Sequence, residues 1–293
     1  MNGVLIIDKP AGMTSHDVVN RVRRILGERS IGHLGTLDPM ATGVLPLVVG
    51  RMTRLAQFYT GSEKSYEGKI RFGFATDTYD SEGEPTTPVQ AVNFNLEQLR
   101  ESARRFQGMI EQMPPPFSAK KIQGVPAYKL ARNKKDVPLK PVEVEIKEFE
   151  ILDLNNDTAH FRAQVASGTY IRSIAHELGQ ILGTGAHLAG LRRTVVGEFE
   201  IGESHTLEEL SAAAQSGSLS EFFIHPRRLL PGFPCVTADL ESATRIRSGR
   251  AVNLPEISRA RQVKVFEGQR ELIAIATRVA GTLFHARVVL TGP

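Results

Sequence analysis

The stretch from Ser65 to Phe74 alternates between mostly apolar residues at even positions and polar residues at odd positions. A period of two places these two sets on opposite faces of a β-strand, so the pattern predicts a half-buried strand. Such a strand is stable only when other strands pair with it and further elements cover its apolar face. The stretch therefore restricts the chain to a layered fold that contains a sheet.

Further strand and helix patterns are interspersed along the chain. Strands are predicted at residues 4–7, 43–49, 142–154, 159–166 and 193–201. Helices are predicted at residues 18–26, 52–59, 96–106 and 170–182, the first with an N-cap at Thr14 and a stop at Gly27. Because two of the strands form a hairpin-like pair and the helices follow no regular alternation, we expect an α+β fold with a mixed, largely antiparallel central sheet.

The last part of the chain has a different pattern. After the proline-rich residues 226–234, short strand-like stretches lie at 262–266, 271–277 and 283–289. A chain of 293 residues is long enough for one large domain and one small domain. We therefore expect a large domain at residues 1–228 and a small β-rich domain at residues 229–293.

The composition excludes several classes of protein. Apolar residues make up 41% of the chain and charged residues 23%, as in ordinary folded proteins. The single cysteine, Cys235, rules out an internal disulfide and a multi-cysteine metal site. No signal-peptide pattern is visible, and the apolar run at residues 44–49 is too short to span a bilayer. We expect a cytoplasmic monomer with no membrane segment.

Basic residues are concentrated in two segments. The net charge is +4, and the proline-flanked segment 114–141 contains seven basic residues and one acidic residue. Residues 245–264 contain six basic residues and one acidic residue. Clustered lysine and arginine side chains favour a polyanionic partner, because they bind phosphates whatever the base sequence. Both segments are therefore candidate contacts with a nucleic acid.

The segment from Ile31 to Thr42 has no periodicity and is predicted to be an irregular loop. Its residues 32–39 place an aspartate, Asp38, among glycines and a threonine. Glycines let the backbone approach a ligand closely, and a carboxylate can act as a nucleophile, a base or a metal ligand. From the residues alone, an Asx-turn with Pro39 is the commoner role of such an aspartate. The spacing leaves these roles open.

Motifs for metals and nucleotide cofactors are missing from the sequence. The pair His176-Glu177 has Gln180 at the position where a zinc-binding helix has its second histidine. The sequence contains no Walker pattern, no dinucleotide-binding pattern and no serine nucleophile elbow. We therefore expect neither a metal nor a cofactor.

The run GHLGTLDPMATGVL at residues 32–45 closely resembles the catalytic motif of the bacterial tRNA pseudouridine-55 synthase family, called TruB. Other blocks resemble that family in the same order: DKPAGMTS from residue 8, KSYEG from residue 64, SAK and GVPAY within residues 118–128, and GTYIRS from residue 168. The resemblance implies a pseudouridine synthase fold with an RNA-binding insertion at 114–141. It also implies a PUA-like RNA-binding domain at 229–293 and uridine 55 in the T arm of tRNA as the substrate.

The same resemblance assigns catalytic residues. It makes Asp38 a nucleophile that attacks C6 of the base or C1′ of the ribose, or a base that removes a ribose proton to form a glycal, without a cofactor. A pocket that encloses a base favours the neutral acid, so a cation is needed, and the resemblance makes Arg172 that cation. Tyr66 is then the ring that stacks on the flipped base, with a hydroxyl able to move the C5 proton.

The resemblance also implies a set of substrate contacts. Tyr170 and Leu191 correspond to positions that line the uridine pocket, and His33 to one that contacts the flipped nucleotide. Lys9 would support the catalytic loop or bind a phosphate. In the insertion, RNA contacts are expected at Lys120, Lys121, Tyr128, Lys129 and Arg132.

Two alternatives stay open. Catalytic subunits of guide-RNA pseudouridylation particles share the Gly-Thr-Leu-Asp-Pro core, although His33-Leu34 before it and the absence of long basic tails favour a standalone tRNA enzyme. A non-catalytic protein that binds or folds tRNA would use the basic segments alone.

Overall fold

The strand with the alternating pattern lies inside a nine-stranded sheet. The computed structural model describes residues 1–117, 140–256 and 258–291, and the backbone of two short strands, β6 (Lys121–Ile122) and β7 (Val125–Pro126). Within the described residues, the strands of the large sheet are β1 (Gly3–Lys9), β2 (Ile31–His33), β3 (Thr42–Val49), β4 (Lys64–Phe72), β5 (Gly108–Gln112), β8 (Val142–Asn155), β9 (Thr158–Val165), β10 (Ala186–Val196) and β11 (Phe199–Glu200).

The order of the strands is β1-β3-β10-β4-β9-β8-β5, with β2 paired to β3 and β11 paired to β10. Each of these pairs is antiparallel except β3 with β10. That pair is parallel and brings Thr42 opposite Arg192 and Gly43 opposite Arg193. The predicted α+β fold with a mixed, largely antiparallel sheet is confirmed, and the parallel contact places the segment before β3 beside β10.

The two faces of β4 are those that its pattern predicts. Tyr66, Ile70 and Phe72 are buried, whereas Glu67 and Arg71 are exposed. The buried face belongs to one apolar core shared with strands β8 and β9 and with two helices. Burial of this face fixes which side of the sheet each residue of β4 occupies.

The helices of the larger, N-terminal part are α1 (Ser15–Leu26), α2 (Leu96–Arg104), α3 (Ile171–Ile181) and α4 (Leu207–Ser216). Helices α2 and α3 cover β4 through residues such as Leu99 and Ile174. The predicted ends of α1 are confirmed, since Thr14 accepts a hydrogen bond from the Asp17 amide and Gly27 ends the helix at φ 64°. None of the helices described is both long and apolar enough to cross a membrane.

Some predicted elements were wrong or missed. The strand predicted at 193–201 corresponds to the end of β10, which begins at Ala186, and to β11. The beginning of β10 was not predicted, because its first residues are buried on both faces and lack the period of two. The helix predicted at 52–59 is a 3₁₀ helix at Gly50–Phe58. The segment predicted as irregular contains β2, which has too few residues to show a period. Strand β5 and helix α4 were not predicted.

The C-terminal part forms a second, five-stranded sheet in the order β12-β14-β15-β16-β13. Its elements are β12 (Cys235–Ala238), α5 (Leu240–Arg247), β13 (Val252–Asn253), β14 (Gln262–Glu267), β15 (Glu271–Ala280) and β16 (Leu283–Val289). The three strands predicted here are confirmed. Lys264 fastens this sheet to the preceding segment, since its Nζ donates to the carbonyls of Arg227 (2.8 Å) and Leu229 (2.6 Å).

Candidate active site

The loop between β2 and β3 carries Asp38 and is fastened to its neighbours. Ser15, the first residue of α1, accepts a hydrogen bond from the Leu37 amide at 2.8 Å and donates one to the Leu37 carbonyl at 3.1 Å. The Pro39 carbonyl accepts from the Gly12 amide at 2.9 Å. The backbone on both sides of Asp38 is therefore held by α1 and by the segment before it.

A buried lysine lies under the same loop. Lys9 is fully buried, and its Nζ donates to the carbonyls of Pro10 (2.8 Å), Pro39 (3.1 Å) and Ala41 (2.7 Å). Burial lowers the pKa of Lys9 to about 8. Because an ammonium group has three donors and all three reach carbonyls, none is left for a phosphate. Of the two roles expected for Lys9, the geometry favours support of the loop.

A second buried cation, Arg193 of β10, holds the beginning of the loop and the start of β3. Its Nη2 and Nη1 donate to the carbonyls of Gly35 (3.0 Å) and Thr36 (3.2 Å), and its Nε donates to the Val44 carbonyl at 2.8 Å. Arg193 is fully buried. This residue was not predicted from the sequence, because an arginine in a strand is usually exposed. Lys9 and Arg193 together bind the carbonyls on either side of Asp38.

Gly43 permits the contact between the loop and β10. It has φ 101°, and a Cβ added there would lie 2.2 Å from the carbonyl oxygen of Arg193. A side chain is therefore excluded by both the backbone conformation and the neighbouring strand. The parallel pairing of β3 with β10 depends on this glycine.

Arg172, in the first turn of α3, lies against Asp38. Its Nε is 2.9 Å from Oδ2 of Asp38, and its Nη2 donates to Oδ1 at 3.2 Å. The same guanidinium donates to the carbonyls of Thr78 (3.1 Å) and Phe117 (2.9 Å). Arg172 is only 5% exposed. The structure thus brings together the two residues that the family resemblance pairs.

A second carboxylate, Asp80, shares the same guanidinium. Its Oδ2 lies 3.4 Å from Nη1 of Arg172, and its Oδ1 accepts from the Thr78 hydroxyl (2.6 Å) and the Glu82 amide (3.1 Å). Asp80 is buried. Asp80 was not predicted from the sequence, because the polar segment 77–84 has the composition of an ordinary loop. Arg172 therefore forms ion pairs with two carboxylates, those of Asp38 and Asp80.

Burial raises the pKa of the Asp38 carboxyl above its ordinary value, although the Arg172 guanidinium lowers it. The negative charge of Asp80 raises this pKa further, and the positive charge of Lys9 lowers it. Because Arg172 is shared with Asp80, it offsets only part of the penalty of burial. The expected cation is present, but the pKa of Asp38 is still raised.

Asp38 and Arg172 line two adjoining cavities. The larger is a cleft of about 660 Å³ whose wall includes His33, and the smaller is a cavity of about 110 Å³ whose wall includes Tyr66. Thr36, Leu37, Asp38 and Arg172 are common to both walls. The carboxylate of Asp38 therefore lies where the cleft meets the small cavity.

Three residues predicted to contact the base line the small cavity: Tyr66, Tyr170 and Leu191. Tyr66 is 7% exposed and lies on β4. Tyr170 caps α3, and its backbone amide donates to Oε1 of Gln112 at 2.7 Å. Leu191 lies on β10 opposite Gly68. The cavity thus has an aromatic and aliphatic wall with one carboxylate, which suits a single planar ring.

His33 ends β2, and its Nδ1 accepts a hydrogen bond from the Gly35 amide at 3.3 Å. Burial lowers the pKa of this imidazole, and the positive charges of Arg193 and His16 lower it further. The neutral ring faces the cleft. Among the residues that the structure describes, no group of three His, Cys, Asp or Glu side chains could hold a metal ion.

The RNA contacts predicted in the insertion fall in its undescribed part. Lys120, Tyr128, Lys129 and Arg132 lie outside the described residues, and of Lys121 only the backbone in β6 is described.

Two solved structures contain a chain with the same fold. One is the crystal structure of a Cbf5-Nop10-Gar1 complex, with 25% identity, a TM-score of 0.72, and coverage of 99% of this chain and 85% of that chain. The other is an H/ACA RNP bound to a substrate RNA containing 2′-deoxyuridine, with 23% identity, a TM-score of 0.72 and the same coverage. The similarity to the second structure is evidence for the fold alone.

Residues 23–171 match the N-terminal domain of the TruB family pseudouridylate synthases, and residues 172–227 match the tRNA pseudouridylate synthase B C-terminal domain. The fold, the site and these matches define a pseudouridine synthase, which is an isomerase. The tRNA pseudouridine synthase B of Solibacter usitatus is 48% identical over 99% of this chain and 100% of its own length. The tRNA pseudouridine synthase B of Aquifex aeolicus is 38% identical over 99% of this chain and 100% of its own length. The chain belongs to the TruB family.

Proposed function

We propose that this enzyme isomerises uridine 55 in the T arm of tRNA to pseudouridine, and that Asp38 is its nucleophile. The observation that supports this best is the carboxylate of Asp38, paired with Arg172 where the open cleft meets the small cavity. The names of the relatives in Solibacter usitatus and Aquifex aeolicus support tRNA as the substrate. The enzyme acts as a cytoplasmic monomer.

The proposed reaction moves the ribose from N1 to C5 of the same uracil. The C1′–N1 bond breaks, the base turns, a C1′–C5 bond forms, C5 loses a proton and N1 gains one. No atom is gained or lost overall, so the reaction needs neither a cofactor nor an oxidant. Asp38 attacks C6 or C1′, or removes a ribose proton to form a glycal, and it is regenerated at the end in each case.

The side chains around Asp38 have separate tasks in this proposal. Arg172 orients the carboxylate and stabilises its charge. Tyr66 stacks on the extruded base, and its hydroxyl carries the C5 proton. Tyr170 and Leu191 close the small cavity around the ring. His33 contacts the nucleotide at the mouth of the cleft.

Reaching the uridine requires extrusion of the base, which costs a few kcal/mol of stacking and pairing energy. We propose that the basic insertion at 114–141 and a PUA-like domain at 229–293 supply the compensating phosphate contacts, while residues 1–228 form the catalytic domain. The excess of basic over acidic residues in both regions supports this division.

The test is incubation of the purified protein alone with an unmodified tRNA transcript, followed by mapping of pseudouridine. We expect modification at position 55, and a transcript with cytidine at that position should gain no pseudouridine. Activity that appears only with a guide RNA and partner proteins would favour the guide-RNA alternative. Tight binding of tRNA without any pseudouridine would favour the non-catalytic alternative.

A further inference from the structure

Two aromatic rings that belong to neighbours of the Arg172–Asp80 ion pair are stacked on each other. The rings of Tyr79 and His176 are 3.7 Å apart between centroids and 11° from parallel. Neither residue lines the cleft or the small cavity. The proposed reaction therefore assigns no role to Tyr79 or His176.

The backbone at Tyr79 is strained. Its φ of 65° lies in the left-handed region, which a non-glycine residue with a large side chain rarely adopts. Strain of this kind persists only where the surrounding structure imposes it, and stacking of two rings is an interaction of comparable size. The stack on His176 is thus a candidate for what holds this conformation.

The stacked residues adjoin the two partners of an ion pair. Tyr79 directly precedes Asp80, and His176 lies one helical turn after Arg172 on α3. Arg172 contacts both neighbours of Tyr79, through the Thr78 carbonyl at 3.1 Å and the Asp80 carboxylate at 3.4 Å. The backbone turn at Tyr79 therefore directs its two neighbours toward the arginine and its own ring toward the helix.

The other side of the turn is held by β10. The Tyr79 carbonyl accepts from the Leu188 amide, and the Ser81 amide donates to the Leu188 carbonyl, both at 3.0 Å. These bonds fix the turn to the sheet, and the ring of Tyr79 fixes it to α3. The segment that carries Asp80 is held between the two elements.

We infer that Tyr79 and His176 are positioning residues, whose stacking holds the strained turn so that Asp80 stays on Arg172 and Arg172 stays on Asp38. The inference rests on the proposed function, because it assigns the pair an effect on the reaction of Asp38. A mispositioned arginine reduces the rate without removing a contact with the RNA.

The chain allows matched variants. Tyr79→Asn removes the ring but keeps a residue that tolerates the left-handed backbone, and Tyr79→Phe keeps the ring. His176→Ala removes the partner ring, and His176→Phe retains one. Phe222→Ala is the control for loss of an aromatic pair, since Phe222 packs on His205 with centroids 4.2 Å apart and lines neither cavity.

Single-turnover rates and RNA affinities are measured for each variant with a T-arm transcript. We expect Tyr79→Asn and His176→Ala to lose roughly ten- to a hundredfold in rate, with affinity changed by less than about twofold. Tyr79→Phe and His176→Phe should recover most of the rate. Because the Arg172 guanidinium lowers the pKa of Asp38 by more than the Asp80 charge raises it, displacement of Arg172 should also move the acid limb of the rate profile to higher pH.

A purely structural role would lower the thermal midpoint without these kinetic signatures, as expected for Phe222→Ala. The inference is overturned if Tyr79→Asn keeps the wild-type rate and pH profile. It is also overturned if Phe222→Ala has the same thermal midpoint as Tyr79→Asn and loses as much rate. Failure of the ring-retaining variants to recover the rate also overturns it. A wild-type protein that forms no pseudouridine contradicts the proposed function itself, which the other outcomes leave intact.

Discussion

The Nε atom of Arg172 lies 2.9 Å from Oδ2 of Asp38, although the two residues are 134 positions apart in the chain. Their meeting depends on buried groups elsewhere: Lys9 and Arg193 hold the carbonyls of the loop, and Gly43 lets β3 pair with β10. The interior of the protein therefore sets the position of the carboxylate.

Arg172→Ala should reduce the single-turnover rate by about 10²–10³, the usual effect of removing a preorganised charge from an active site. Affinity for tRNA should change little, because the arginine is buried and bonded within the protein. Arg172→Lys is the control, since it keeps the charge but cannot bridge both carboxylates. Equal losses of rate and affinity would contradict a role at Asp38. Release of tritium from C5-labelled uridine measures the rate.

The single-turnover rate should fall as pH drops through the pKa of Asp38, since only the ionised carboxyl attacks. Burial raises this pKa, so the acid limb should lie above the ordinary value of 3.8. Asp80→Asn removes a negative charge that raises the pKa, and should move the limb to lower pH. Asp77→Asn in the same loop is the control. An acid limb at or below pH 3.8 would contradict the raised pKa of Asp38.

Lys9→Met leaves the Ala41 carbonyl without this buried donor, which costs roughly 1–3 kcal/mol of unfolding free energy. The pKa of Lys9 is about 8 in the folded protein, against 10.5 ordinarily. Between these pH values the unfolded chain binds more protons, so this group makes the folded state more stable as pH rises. In urea unfolding, the unfolding free energy of wild type should therefore exceed that of Lys9→Met by more at pH 10.5 than at pH 8. A difference in unfolding free energy that is the same at both pH values would contradict the lowered pKa of Lys9.

Gly43→Ala should lower the unfolding free energy by about 3 kcal/mol or more, because strain at positive φ adds to overpacking. The new Cβ would lie 2.2 Å from the Arg193 carbonyl oxygen. Gly12→Ala is a matched control, with φ 80° and no atom within 4 Å of its Cβ, and should cost only about 1–2 kcal/mol. Equal losses in urea unfolding would mean that the contact with β10 is unimportant.

Local patterns predicted much of the fold. The alternation around Tyr66 gave β4 and its buried face, and the capping residues Thr14 and Gly27 gave both ends of α1. Strand β10 was harder, because it lies in the middle of the sheet and its first residues are buried on both sides. Its beginning has no periodic signal to read.

The site was predictable only where the family blocks reach it. Asp38, Tyr66, Arg172 and Tyr170 were named from these blocks and Leu191 from its correspondence to a family position, and all five line one cavity. Arg193 and Asp80 lie in a strand and a polar loop of ordinary composition. Their importance comes from burial and from contacts with distant carbonyls and charges, which spacing in the sequence does not encode.

The proposed reaction depends above all on Asp38 as the nucleophile. The most direct measurement is the single-turnover conversion of uridine 55 in a T-arm transcript by wild type and by Asp38→Asn, with RNA affinity determined for both. The amide preserves shape but cannot attack, so we expect no pseudouridine from Asp38→Asn and an affinity close to that of wild type. Pseudouridine formed by Asp38→Asn at a rate near that of wild type would contradict the claim.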